Sequence, residues 1–200
     1  TRRCNFKCGH CLRGCQQRKN IDNQTLYDLV HFISYNDDYI VGITPTGGEP
    51  FLAIPQLSFL CKYINSIDGI VTNGSVWNGD VKRFLEELNT YDPSVDLTIH
   101  ISNDQFHYEQ RYRNLKKEKS FQKFVMFLKE NDIQHHFAGS PINTTNKIIN
   151  SGMAKKNGYG NIDLTEPEEA FYLSKEDNIL YCEDCGISIF GDIFSSCNIS

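Results

Sequence analysis

The chain has 200 residues, 40% of them apolar, which is enough for one domain with a hydrophobic core and too few for two large ones. Twenty basic against twenty-five acidic side chains leave a formal charge of −5, which argues against a surface built to grip a nucleic-acid backbone. No apolar run approaches the ~20 residues of a membrane helix, and no charged–apolar–small leader opens the sequence, so a cytoplasmic setting with no membrane partner is expected.

Behind a cysteine-rich opening, the spacing of Leu26, Leu29, Val30 and Ile33 predicts a helix over about 22–34, with Asp22 or Asn23 as its cap. Tyr39 to Thr44 reads as a short buried strand, followed by a glycine turn at Gly47-Gly48. A second helix is expected over 56–64, then a strand over 69–72 closed by Asn73-Gly74. Val81, Phe84, Leu85 and Leu88 share one face of a third helix, 80–88. A strand over 95–101, a helix over 120–129 and a weaker strand over 133–138 complete the series.

Strand and helix alternate, with connections short enough for crossover units. That pattern predicts an α/β fold with a parallel sheet and outer helices, either an open sheet or an incomplete barrel. In both, ligands gather at the carboxyl ends of the strands, which here are followed by PTGGEP, TNGS, SNDQFH and GSPINTT. Periodicity fades after Ser151, and a small cysteine-bearing appendage is expected from about Glu166. The expected division is therefore 1–165 and 166–200.

Eight cysteines are many for a chain of this size: Cys4, Cys8, Cys11, Cys15, Cys61, Cys182, Cys185 and Cys197. In a reducing compartment such clustering points to metal rather than to disulfides. CNFKCGHC sets Cys4, Cys8 and Cys11 at a C-x3-C-x2-C spacing. Soft thiolates suit iron–sulfur clusters, and a loop that supplies only three leaves one iron of a cubane open to a small chelating ligand. A zinc knuckle is the competing reading, although zinc sites usually pair two C-x2-C hooks.

CNFKCGHC, with His10 directly before the third cysteine, resembles the signature of the radical S-adenosylmethionine superfamily. TPTGGEPFL, with Gly47, Gly48, Glu49 and Pro50, resembles its second motif, and Thr72-Asn73-Gly74 its usual third-strand ending. The resemblance covers about residues 1–139. It implies a partial (β/α)6-type TIM barrel that cleaves S-adenosylmethionine reductively at a [4Fe-4S] cluster and forms a 5′-deoxyadenosyl radical.

The resemblance assigns Cys4, Cys8 and Cys11 to the cluster and places His10 near it and the adenine. It lets Gly47 and Gly48 admit the methionine end of the cofactor, with Glu49 accepting from its ammonium group. It also implies Asn73 in the same cofactor site, and Ser102 and Asp104 at the ribose. A reductase or a flavodoxin- or ferredoxin-type protein would supply the electron. The family sets a strand before the first cysteine, so the sequence is expected to start inside the natural protein, without that strand.

Three further features stay open at this point. Asp104 and His107 read as substrate contacts or proton carriers, or as an Asx-type turn that satisfies only local backbone. Arg111, Arg113, Lys116, Lys117, Lys119 and Lys123 form a basic run that reads as a solvated helix and loop, or as a grip on an acidic substrate. His135 and His136 read as packing and surface residues, and Cys61 as a buried hydrophobe.

CEDCGISIFGDIFSSC predicts a small hairpin carrying Cys182, Cys185 and Cys197, as ligands of an auxiliary iron–sulfur cluster, as a structural zinc site or as unmetallated thiols. The stretch is similar to a shortened SPASM or twitch extension, found in peptide-modifying members of the superfamily, and so implies a peptide or protein substrate. A radical enzyme for a nucleotide or small metabolite, and a zinc-binding structural or regulatory module, are the alternatives.

Overall fold

The structure is a computed structural model. It describes residues 1–11, 19–35, 43–88, 97–139, 141, 148 and 152–161, together with the backbone of four short strands between 172 and 195. The chain divides into two compact units, Thr1–Cys8 with Gln16–Asn146, and Gly9–Cys15 with Lys147–Ser200.

The first unit is a mixed α/β layer structure. Most of its helices start where a side chain supplies an acceptor for their unpaired N–H groups; the helix that follows Ala53 has no such cap. For α1 (Asn23–Tyr35) the acceptor is Asp22, whose carboxylate accepts from the Thr25 N–H at 2.9 Å and the Thr25 hydroxyl at 2.8 Å. For α3 (Gly79–Leu88) it is the Asn78 side chain, which accepts from the Val81 N–H at 2.9 Å. The remaining helices of the unit are α2 (Ile54–Tyr63), α4 (Gln105–Tyr112) and α5 (Leu115–Glu130).

Strands β1 (Gly69–Thr72), β2 (Thr98–Ser102) and β3 (His135–Ala138) form a parallel sheet in that order. Ile70 faces Ile99 and Ile101 faces Phe137 in the ladder. Ile70, Ile99 and Ile101 are fully buried against Val81, Phe84 and Leu85 of α3 and Phe124 and Leu128 of α5. Phe51 joins this core through edge contacts with Phe84 and Phe124. A second core packs Val30 and Ile33 of α1 against Ile64 and Ile67.

Spatial order follows chain order beyond the named strands. Ile43 bridges Ile67 in parallel, and the Val71 N–H donates to the Pro45 carbonyl at 3.0 Å. One step further out, the Gly48 N–H donates to the Thr1 carbonyl and the Glu49 N–H to the Arg3 carbonyl, both at 2.7 Å. The expected strand over 39–44 otherwise lies outside the described residues, except for Ile43 and Thr44.

Beyond shifts of a single residue, the helices of the first unit differ from the sequence reading in three places, the smallest being α2, which starts at Ile54 rather than near Gln56. Helix α5 starts at Leu115 rather than near Ser120, because Asn114 caps it by accepting from the Lys116 and Lys117 N–H groups. Helix α4 is an addition: Gln105–His107 form its first turn and not a loop.

In the second unit, α6 (Gly152–Lys156) and the residue after it hold Gly9 and Cys11. The Met153 N–H donates to the Cys11 carbonyl at 2.9 Å, and the Asn157 amide donates to the Gly9 carbonyl at 2.9 Å. Strands β4 (Tyr172–Leu173) and β5 (Leu180–Tyr181) pair antiparallel, as do β6 (Cys185–Ile187) and β7 (Ile193–Ser195). The second pair is the hairpin expected around Cys185. Cys182 and Cys197 lie outside the described residues, as does Cys15. Among the described residues no helix is long and apolar enough to cross a membrane.

Candidate metal centre

Cys4 and Cys8 are carried by a loop that the first unit holds from several sides. Phe6, between them, is 2% exposed and anchors the loop in the protein. The Asn5 amide donates to the Ser75 hydroxyl at 2.8 Å, and the Asn73 amide donates to the Asn5 side-chain oxygen at 2.9 Å. From α4, the Gln110 side chain accepts from the Lys7 N–H at 3.2 Å and donates to the Lys7 carbonyl at 3.4 Å. From α5, Lys117 Nζ donates to the Asn5 carbonyl at 2.6 Å and stands 4.7 Å from the centre of the Phe6 ring.

Two donors point at the first thiol. The Phe6 N–H lies 3.4 Å from Cys4 Sγ, and the Asn73 amide nitrogen 3.8 Å from the same sulfur. Hydrogen bonds to sulfur stabilise a thiolate and help to set a cluster's potential. Burial lowers the Lys117 pKa, while Cys4 and Cys8 raise it and Lys7 lowers it. The buried Arg111 guanidinium is likewise lowered by desolvation and pushed back up by Glu118, Asp104, Cys8 and Tyr108. The loop therefore lies in a cationic, hydrogen-bonded setting that suits thiolates as metal ligands.

Glu49, which the resemblance assigns to the cofactor, lies in the protein interior. Its side chain is fully buried, and its carboxylate accepts from the Phe51 N–H (3.1 Å), the Thr72 hydroxyl (2.7 Å) and the Asn73 N–H (2.8 Å). Burial pushes its pKa up to about 7, against the lowering by those three donors. Gly47 and Gly48 serve the same junction. Gly47 has φ +131°, and a Cβ there would lie 2.4 Å from the Thr1 carbonyl oxygen; at Gly48 it would lie 2.0 Å from that of Arg3. Both glycines admit the chain's own segment ahead of Cys4.

Residues 1–125 match the model of a family described as a 4Fe-4S single cluster domain. The chain belongs to that family. No curated protein matches it closely enough to count as a relative. The three thiols of the opening loop fit such a cluster by donor type: soft sulfur ligands, with no disulfide among Cys4, Cys8, Cys11 and Cys61. In this 4Fe-4S domain Cys4 and Cys8 belong to the first unit, whereas Cys11 and His10 belong to the second.

The other sequence-predicted residues fall into place around β2 and α4. Ser102 ends β2, and its carbonyl accepts from Arg111 Nη1 at 3.3 Å. Asp104 is the N-cap of α4, accepting from the His107 N–H at 3.0 Å, and its second oxygen lies 2.7 Å from His107 Nδ1. The Asx-type turn and the Asp–His pair therefore coexist. His136 meets His100 across the β2–β3 ladder at 3.0 Å, while His135 turns to the Ile133 carbonyl at 2.8 Å. Cys61 is packed between the two cores, and burial pushes its thiol up to about 12.

The basic run divides. Arg113, Lys116, Lys119 and Lys123 are exposed, as a solvated helix requires. Arg111 is instead 1% exposed, with its guanidinium 3.9 Å from the Phe121 ring centre and paired with the Asn103 side chain. Lys117 is half-buried. Sequence reasoning missed both; the signal was available in the aromatic Phe6 and Phe121 that these cations cover.

Proposed function

We propose that this protein is a radical S-adenosylmethionine enzyme, built on a partial (β/α)6-type barrel, that modifies a peptide or protein. The observation that carries the reading is a C-x3-C-x2-C loop inside a 4Fe-4S single cluster domain, which occurs in radical S-adenosylmethionine proteins. Cys4, Cys8 and Cys11 would hold the cluster and leave one iron open to the cofactor. When bound, such a cluster would supply the one electron needed to cleave the S–C5′ bond of S-adenosylmethionine reductively, giving methionine and a 5′-deoxyadenosyl radical. The parallel strands in chain order support the barrel, since a barrel lays each new strand beside the last.

The chain's own residues would position and shield. Gly47, Gly48 and Glu49 would present backbone to the methionine part of the cofactor. Glu49 has one of its roughly four lone-pair sites left for an ammonium group after its three donors are counted. Asn73 and Ser102 stand at the ends of neighbouring strands, and His10 is assigned to the adenine. If Asp104 accepts from His107 Nδ1–H, Nε2 becomes the nitrogen that takes up a substrate proton. Cys182, Cys185 and Cys197 are read as ligands of a second centre, an iron–sulfur cluster or zinc. A reductase or a flavodoxin- or ferredoxin-type protein would donate the electron.

Anaerobic reconstitution tests the reading. About four irons per chain are expected for one cluster, and about eight if the C-terminal cysteines hold another. Cys4→Ala, Cys8→Ala and Cys11→Ala should each abolish formation of 5′-deoxyadenosine. Cleavage of S-adenosylmethionine that survives in any of the three would refute the assignment.

A further inference from the structure

Lys117 sits in the first turn of α5, where a cation opposes the positive end of the helix dipole. Its neighbour Lys116 is exposed to solvent, which screens the cost, but Lys117 is half-buried. The structure compensates it on the other side. Its ammonium group donates to the Asn5 carbonyl at 2.6 Å, covers the face of Phe6 at 4.7 Å and is electrostatically coupled to Cys4 and Cys8. Arg111 is closer to a structural fixture: it ties α4 to the end of β2 through Ser102 and Asn103.

Resting on the cluster reading of Cys4 and Cys8, we propose that Lys117 is a positioning residue that clasps the cysteine loop from α5 and raises the reduction potential of the cluster. The clasp acts through Asn5 and Phe6, the two residues that follow Cys4. Its charge acts because a cluster gains negative charge on reduction, and a fixed cation nearby favours the more negative state. The two effects are separable, since arginine preserves the charge and methionine preserves only the apolar stem over Phe6.

The test uses the full chain as Lys117→Met, Lys117→Arg and, as a control on the same helix, Lys119→Met at an exposed position. Redox titration of the reconstituted protein, followed by electron paramagnetic resonance, reads the potential. Lys117→Met should shift the reduced-to-oxidised ratio tenfold toward oxidised, which is 59 mV downward for one electron. Lys117→Arg and Lys119→Met should stay near wild type. A Lys117→Met potential equal to that of Lys119→Met would overturn the proposed charge effect.

Hydrogen exchange on the metal-free chain reads the clasp independently of any cluster. The Phe6 and Lys7 amides should exchange at least tenfold faster in Lys117→Met than in wild type, and unchanged rates would overturn the clasp. Wild-type protein that assembles no iron overturns the cluster reading and the potential argument with it, while the exchange arm still decides the clasp.

Discussion

Replacing Glu49 by glutamine perturbs the one fully buried carboxylate among the described residues. Its pKa is raised from 4.5 to about 7, so the folded protein holds a proton that the unfolded chain releases. For a raised acid the stabilisation is complete below about 4.5 and is lost as pH rises through about 7. At ~1.4 kcal/mol per unit, the full loss is about 3 kcal/mol, of which about 2.5 falls between pH 5 and 8.

Glutamine does not titrate, so the variant lacks that slope. It carries its own cost, because an NH2 group must face either the Asn73 N–H or the Thr72 hydroxyl and Phe51 N–H pair, about 1–3 kcal/mol at every pH. Urea unfolding of the metal-free wild type and Glu49→Gln should therefore show a clear deficit for the variant at pH 5. Between pH 5 and 8 the difference should move by about 2.5 kcal/mol in the variant's favour, whatever its starting value. Titration of every other group cancels in the comparison. A difference that stays constant from pH 5 to 8 would show that Glu49 is ionised throughout and that burial does not dominate its chemistry.

Gly48→Ala puts a Cβ 2.0 Å from the Arg3 carbonyl oxygen and strains the two hydrogen bonds that hold Thr1 and Arg3. It should cost about 3 kcal/mol in urea unfolding and weaken iron retention. Gly79→Ala, where the added Cβ meets nothing within 4 Å, should change stability by less than about 1 kcal/mol. The Cys61 thiol, pushed up to about 12 by burial, should resist iodoacetamide at pH 8 in the folded metal-free chain while Cys4 and Cys8 react. Peptide mass mapping distinguishes the sites, and early labelling at Cys61 would show that the two cores do not enclose it.

Elements with an apolar stripe were legible. Strand β1 occupies the four residues that the sequence assigns to it, and α3 differs from its expected span by one residue. Helix α4 was not legible, because QFHYEQRY has no such stripe: the side chain it buries is Arg111, and its start is fixed by the Asp104 cap. The first turn of α5 is hidden for the same reason, with Lys116, Lys117 and Glu118 following Leu115. Thiol spacing pointed to an iron–sulfur domain, and the family match over residues 1–125 agrees with that, since ligand chemistry is written in residue type. The partners of that loop were invisible, because Gln110 and Lys117 lie 103 and 112 residues from the atoms they bind.

The three motifs that look separate in sequence close into one hydrogen-bonded circuit. Gly48 and Glu49 hold the backbone of Thr1 and Arg3, which delivers Cys4. The Glu49 carboxylate holds the Asn73 N–H, and the Asn73 side chain returns to Asn5 and to Cys4 Sγ. Cys4 is thus fixed from its main chain and from its sulfur by the same turn. Circuits of this kind lose more than one bond when one member is removed, because every neighbour then keeps a buried polar group without its partner. That coupling gives a physical reason for the order GGE, then TN at the end of β1. Glycine admits the incoming chain, glutamate spans to the next strand, and asparagine carries the link back to the metal loop.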